Sequence, residues 1–388
     1  MQTGTLALLA LTALLVATVP LVFVWRSAEA NKFRKLVWVG VFLTFDLIVF
    51  GAFTRLTDSG LGCPDWPGCY GLANPFLAHV QIDAAELLMP TGPVTVAKAW
   101  VEMVHRYLAM AIGSITVVVM AWAWINWRRA RGGLGVPALP TALFLLVCVQ
   151  GLFGALTVTM KLQPIIVTTH LLLGMALLML FAWLGSREDR APFAGAGARA
   201  TPADALRSLR YLAALSALLL AVQIALGGWV STNYATLACD EFPLCGGKLV
   251  PVMDFEHGFT LWRELGKTAA GHYLPFSALT AIHWVHRNVA LLVIACLGWT
   301  AWRAWPYPAL RSCARGIALV LAAQAATGIA TIYLNFPLPI AVLHNAGAAL
   351  LVLLLTMLNY RAKYLSEPAA QGATGAASAP ATPSRHHP

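Results

Sequence analysis

Nine apolar stretches decide what this chain can fold into. They run near 5–25, 36–54, 101–125, 137–159, 165–185, 209–231, 283–303, 314–334 and 340–360. Roughly 20 apolar residues in a helix cross the hydrocarbon core of a bilayer. Lipid offers no water to backbone N–H and C=O groups, so each stretch must satisfy them internally, as a helix does. The expected fold class is therefore an all-α polytopic membrane protein, with the lipid bilayer as its solvent. Composition agrees: 59% of residues are hydrophobic and 11% charged, against about 25% charged in a soluble domain.

A net charge of +10 can signal a nucleic-acid partner, but its placement here argues for none. Of 26 Lys and Arg, 18 lie in or beside the short connections 26–35, 128–136, 186–208 and 304–313 and the tail after 360. Arg55, Lys98, Lys161, Lys248, Arg263 and Lys267 lie in the opposite segments. Basic residues gather on cytoplasmic loops. The long loops 55–100 and 232–282 are thus expected on the outer, periplasmic side of the cell inner (plasma) membrane, and the C-terminus in the cytoplasm. The first stretch lacks a basic region before it, and its charges follow it. It reads as a retained helix with an outer N-terminus rather than a signal peptide. Residues 366–388, rich in Ala, Pro, Ser and Gly, read as a disordered tail in which His386 and His387 are incidental.

The remaining eight stretches are a duplication. Gly51, Leu61, Cys63, Pro67 and Cys69 recur 176 residues later as Gly227, Leu237, Cys239, Pro243 and Cys245. His105 and Arg106 recur as His286 and Arg287. Gln150, Gly154, Thr157 and His170 recur 174 residues later as Gln324, Gly328, Thr331 and His344. Two tandem four-helix bundles follow, each with an even number of spans, so both insert the same way and a pseudo-two-fold axis should run along the membrane normal. The division reads as 1–35 for an extra N-terminal segment and linker, 36–186 for one bundle, 187–208 for a cytoplasmic linker, 209–360 for the other bundle and 361–388 for the tail.

Histidine inside a membrane is costly and marks function by default. His105, His170, His286 and His344 stand at matched places, and the topology puts all four in the outer third of the bilayer. Two imidazoles facing each other across a bundle suit haem iron, for which imidazole is a common axial ligand. Zinc or copper would need further Cys, His or carboxylate ligands, for which only Glu102 and His283 are at hand within the helices. Arg106 and Arg287 follow the candidate ligands and are placed either to meet propionates or to snorkel to the interface. Glu102 and His283 occupy equivalent positions three residues before His105 and His286. That divergence points to a reactive N-terminal site, where a carboxylate handles protons or developing positive charge, and a permanent electron-transfer site in the C-terminal half. The plainer reading of Glu102 is a partner for Arg106 or Lys98.

Cys63 and Cys69 flank Pro-Asp-Trp-Pro-Gly, and Cys239 and Cys245 flank Asp-Glu-Phe-Pro-Leu, both in outer loops where oxidation is permitted. Two tight disulfides are expected, with a redox role open for Cys63 and Cys69. Cys148, Cys296 and Cys313 read as small apolar residues. Asp46 is a lone acid in a span, either functional or satisfied by a polar partner in the bundle; its repeat position is Val222.

The segment Gly51-Ala-Phe-Thr-Arg-Leu-Thr-Asp-Ser-Gly60, the cysteine-flanked Pro-Asp-Trp-Pro, Glu102-Met-Val-His105-Arg106, His283-Trp-Val-His286-Arg287 and the helix-borne His170 and His344 together resemble the haem A synthase family over roughly 36–360. The resemblance implies a resident haem b on His286 and His344, and substrate haem o between His105 and His170, with Glu102 essential beside it. It implies oxidation of the haem o C8 methyl to a formyl group, giving haem a, through successive hydroxylations with oxygen from water. It implies a functional role for Cys63 and Cys69. As partners it implies haem O synthase, cytochrome oxidase assembly factors, an unidentified electron acceptor and a possible homo-oligomer. Two rival readings share the histidines: a b-type membrane cytochrome that only moves electrons, and a haem transporter or chaperone.

Overall fold

A spanning segment must satisfy its backbone hydrogen bonds internally, and helices do this. The computed structural model describes residues 3–130, 136–189 and 203–366. Eleven helices and no strand occur among them. In chain order they are α1 (Thr3–Arg26), α2 (Lys32–Leu56), α3 (His79–Leu88), α4 (Val96–Arg129), α5 (Ala138–Thr159), α6 (Pro164–Glu188), α7 (Ala203–Thr232), α8 (Phe255–Gly258), α9 (Phe276–Ala304), α10 (Pro308–Tyr333) and α11 (Leu338–Ser366). Nine of these, all but α3 and α8, are long and apolar enough to cross a membrane, at the places expected from sequence. The expected tail beyond 366 and the middle of the expected linker, 190–202, lie outside the described residues.

The helices pack in two rings with the same cyclic order. In the first ring α2 packs on α4, α4 on α5, α5 on α6 and α6 back on α2. In the second, α7 packs on α9, α9 on α10, α10 on α11 and α11 on α7. Between the rings α6 meets α7 and α11, and α2 meets α11. The set of pairings is unchanged if α2 is exchanged with α7 and α6 with α11. At the outer ends, Arg55 Nη2 donates to the Ser231 carbonyl oxygen at 2.7 Å and Tyr234 Oη to Asp58 Oδ1 at 2.7 Å. Both pairs are one repeat of 176 residues apart, so equivalent positions touch each other, as they do beside a two-fold axis. Small buried residues such as Ala213, Ala301, Ala314, Ala349 and Ala362 let the helices approach closely.

The extra helix α1 lies against α4 and α2. Its buried residues Thr5, Leu9, Ala13, Ala17 and Val24 follow a helical stripe. Thr5 Oγ1 donates to the Gly71 carbonyl oxygen at 3.1 Å, fastening the start of α1 to the first cysteine loop.

Four helices start five or more residues before the expected place, among them α7 at Ala203 rather than near 209 and α10 at Pro308 rather than near 314. α4 begins at Val96 rather than near 101, with Thr95 Oγ1 accepting from the Lys98 N–H at 3.3 Å as an N-cap. α9 begins at Phe276 rather than near 283. Both helices therefore rise a turn or more above the apolar stretch. The added residues, Val-Ala-Lys-Ala-Trp in α4 and Phe-Ser-Ala-Leu-Thr-Ala-Ile in α9, mix Lys98, Ser277 and Thr280 with apolar side chains and so did not extend the apolar runs. His105 comes nine residues after the start of α4 and His286 ten after the start of α9, roughly 14–15 Å along the axis at about 1.5 Å per residue. His170 and His344 each come six residues in, roughly 9 Å.

Candidate functional site

Each candidate histidine lies over a glycine of the neighbouring helix. A Cβ placed on Gly51 of α2 would come to 3.0 Å from Cε1 of His105 on α4, and one on Gly227 of α7 to 3.1 Å from Cε1 of His286 on α9. The second pair repeats the device: Gly154 of α5 against His170 of α6, and Gly328 of α10 against His344 of α11, both at 3.3 Å. Even a methyl there would push the ring aside by a few tenths of an ångström, so glycine permits the close approach. Sequence comparison of the halves found these glycines as repeat markers. It did not assign them a role, because a pairing between helices is a tertiary fact.

The two histidines of each half are close enough to interact electrostatically, His105 with His170 and His286 with His344. All four rings are partly buried. Among the described residues no hydrogen bond reaches Nε2 of His105, His170 or His344. Nδ1 of His105 and of His170 is buried with no partner. Buried polar atoms are otherwise almost always paired. Two coupled imidazoles in one bundle with unpartnered ring nitrogens fit a group that takes a nitrogen from each, as haem iron does. Groups of three or more His, Cys, Asp or Glu, which a zinc or copper site would use, do not occur among the described residues.

The C-terminal pair differs in its surroundings. Thr327 Oγ1 lies 2.9 Å from Nδ1 of His344. Gln223 Nε2 lies 3.1 Å from Nδ1 of His286 and donates to the His286 carbonyl oxygen at 3.0 Å. Neither residue was singled out from sequence. At the matching N-terminal positions stand Phe153 and Leu47, which offer no polar atom. Gln150 Nε2 instead donates to the backbone oxygen of His170 at 3.1 Å. Phe50 stacks on His105 with ring centroids 6.2 Å apart.

Glu102 is buried, and both its oxygens are engaged. Oε2 accepts from the Cys63 N–H at 2.7 Å and Oε1 from Arg106 Nη2 at 2.5 Å. The partnership with Arg106 read from sequence is present as a buried ion pair. His283 does the same mechanical work in the other half, where its Nδ1 accepts from the Cys239 N–H at 3.2 Å. Residues 102 and 283 therefore each hold a cysteine loop at the head of a histidine-bearing helix.

Both cysteine pairs are disulfides, Cys63–Cys69 and Cys239–Cys245. The arginines clamp the loops they close. Arg106 Nη1 donates to the carbonyl oxygens of Asp65 at 2.8 Å, Pro67 at 3.3 Å and Gly68 at 2.5 Å. Arg287 donates to those of Pro243 and Leu244 at 3.1 and 3.3 Å. Arg106 is buried and committed to this loop rather than snorkelling. The free cysteines are Cys148, Cys296 and Cys313. Asp46 is exposed on the surface of α2, away from any polar partner in the bundle among the described residues.

Comparison with known proteins places this arrangement. The family model described as cytochrome oxidase assembly protein (COX15-CtaA) matches residues 34–356. The chain is 36% identical to the haem A synthase of Shewanella oneidensis over 332 residues, 84% of this chain and 96% of the relative. It is 32% identical to that of Rhodospirillum centenum over 356 residues, 85% and 88% of the two chains. It is 31% identical to that of Methylobacterium nodulans over 333 residues, 80% and 86%.

Proposed function

The chain belongs to the COX15-CtaA family of cytochrome oxidase assembly proteins, and from that premise we propose that it is a haem A synthase, a multi-pass membrane oxidoreductase that turns haem o into haem a. The observation that carries the reading is the buried carboxylate of Glu102 one turn from His105, in the half whose histidines are otherwise unpartnered.

In this proposal residues 36–186 form the substrate bundle and 209–360 the electron-transfer bundle. His105 and His170 hold the iron of haem o, and His286 and His344 hold a resident haem b. When bound, haem b supplies a one-electron carrier. The C8 methyl of haem o becomes a formyl group by two hydroxylations, each adding a water oxygen and releasing two electrons and two protons; the second product, a hydrated aldehyde, loses water. The electrons leave to an acceptor of unidentified class.

Glu102 handles the protons. Its carboxylate receives a proton from the attacking water or stabilises positive charge developing at the methyl carbon. Arg106 and the Cys63 N–H fix where the carboxylate points. Position matters because proton transfer needs hydrogen-bond reach of the reacting water. Cys63 and Cys69 act through the loop that Glu102 grips, and a redox change there would alter how the carboxylate is held. Arg106 and Arg287, fixed beside the histidines, add positive charge near the outer edge of each pocket, where propionates would lie. The cysteine loops face outward and the C-terminus the cytoplasm, in the plasma membrane. Haem O synthase and oxidase assembly factors are the neighbours this chemistry needs on either side.

The test is to extract pigments from membranes that make haem o, with and without this protein. Replacement of haem o by haem a is expected. Unchanged pigment would reject the enzyme in favour of a cytochrome or a haem carrier.

A further inference from the structure

The two bundles differ at one atom that decides which nitrogen of a histidine is free. Thr327 Oγ1 is 2.9 Å from Nδ1 of His344, and it is also 2.8 Å from the carbonyl oxygen of Ala323 and 3.2 Å from that of Gln324. A hydroxyl has one proton to donate and lone pairs to accept with. The proton goes to the Ala323 carbonyl, one turn back on the same helix, as in many helical threonines. The oxygen is then left to accept, so Nδ1 of His344 carries the proton. A neutral imidazole with its proton on Nδ1 has a bare Nε2, the form that binds a metal.

His170 lacks this arrangement. The position matching Thr327 by the 174-residue offset is Phe153. The carbonyl of Gln150 lies near this ring as that of Gln324 lies near His344, so the two rings differ in the hydroxyl: Thr327 meets Nδ1 of His344, while Nδ1 of His170 has no partner. Gln223 is not a second instance of the same device, since its amide nitrogen presents N–H groups to His286 and not a lone pair.

We propose that Thr327 is a positioning residue that fixes the Nδ1–H tautomer of His344 and so makes the C-terminal bundle the one that retains its haem, while the absence of a counterpart beside His170 leaves the N-terminal ligand exchangeable, as a substrate site requires. This rests on the haem reading above. A hydrogen bond to the second nitrogen orients a ligating imidazole and raises its basicity, and its removal typically costs about 10–100-fold in affinity.

The experiment compares wild type, Thr327→Val, Thr327→Ser and Phe153→Thr in the full-length protein. Haem transfer to excess apomyoglobin and the midpoint potential of the His344-dependent haem are both measured. Thr327→Val, which keeps the shape and loses the acceptor, should release haem about 10–100-fold more readily and show a higher midpoint potential, because a less basic ligand stabilises ferric iron less. Thr327→Ser should restore both. Phe153→Thr should slow loss of haem from the N-terminal pair. Wild-type retention and potential in Thr327→Val would overturn the inference while leaving the haem sites intact. A wild type with no His344-dependent Soret band would overturn the haem reading itself, and this inference with it.

Discussion

The two bundles share a framework and differ in its chemistry. Each has a histidine over a glycine on two pairs of helices, a disulfide loop over the first of these histidines, and an arginine gripping that loop. The N-terminal bundle puts a carboxylate at the loop anchor, Glu102, and leaves both imidazoles without an Nδ1 partner. The C-terminal bundle puts an imidazole at the anchor, His283, and surrounds its pair with Gln223 and Thr327. Duplication preserved the histidine-over-glycine contacts and the clamped disulfide loops. The halves then diverged into one with a buried carboxylate and no Nδ1 partner for either histidine, and one with Thr327 beside His344 and an imidazole at the anchor. The lesson is that the anchor position does structural work in both halves and is free to take on chemistry in one.

The sharpest way to break this comparison is to alter the two anchors in parallel. Glu102→Gln keeps an acceptor for the Cys63 N–H and removes the base. Conversion of haem o should fall by about 10²–10⁴-fold, the usual worth of a positioned proton-transfer group, with the His344-dependent haem spectrum unchanged. His283→Gln should leave most of the conversion in place. Equal losses in the two variants, read by pigment analysis, would show that both anchors are merely structural.

A second contrast uses the glycines. Gly51→Ala pushes a methyl to within 3.0 Å of His105, and Gly227→Ala to within 3.1 Å of His286. The ring must shift in each case. Gly51→Ala should weaken use of haem o by roughly 10-fold, consistent with a misplaced ligand, while the resident haem band stays. Gly227→Ala should reduce that band instead. Titration with haem followed by absorbance separates the two outcomes.

The disulfides offer a smaller effect. Each closes a loop with a sequence separation of six, for which chain entropy gives a contribution of about 2 kcal/mol. Replacing either pair by serine should lower thermal stability in detergent by a similar amount. Only loss of Cys63 and Cys69 should also slow turnover, because the Cys63 N–H holds Glu102. Equal effects on turnover from both pairs would remove the functional distinction between the loops. Smallest of all is Tyr234→Phe, which deletes the bond to Asp58 between the bundles. Both groups are largely exposed, so the cost should be at most about 1 kcal/mol, visible as a slight fall in melting temperature with no change in haem content.

Much of this was readable along the chain. Length and continuity of apolar segments placed nine helices, because lipid leaves the backbone no alternative to closing its own hydrogen bonds. The repeat offsets matched His105 with His286 and His170 with His344, and set Glu102 against His283. Spacing also paired the cysteines. Other features depended on which helices became neighbours. α4 and α9 extend past their apolar stretches through segments that mix Lys98, Ser277 and Thr280 with apolar residues and so blur the hydropathy boundary. Glycine as the floor beneath each imidazole, the grip of Glu102 and His283 on the cysteine loops, and Thr327 against His344 each join residues on different elements. A one-dimensional pattern records which side a residue faces on its own helix. Which atom it meets there is set by helix crossing and depth, and those are properties of the packed bundle alone.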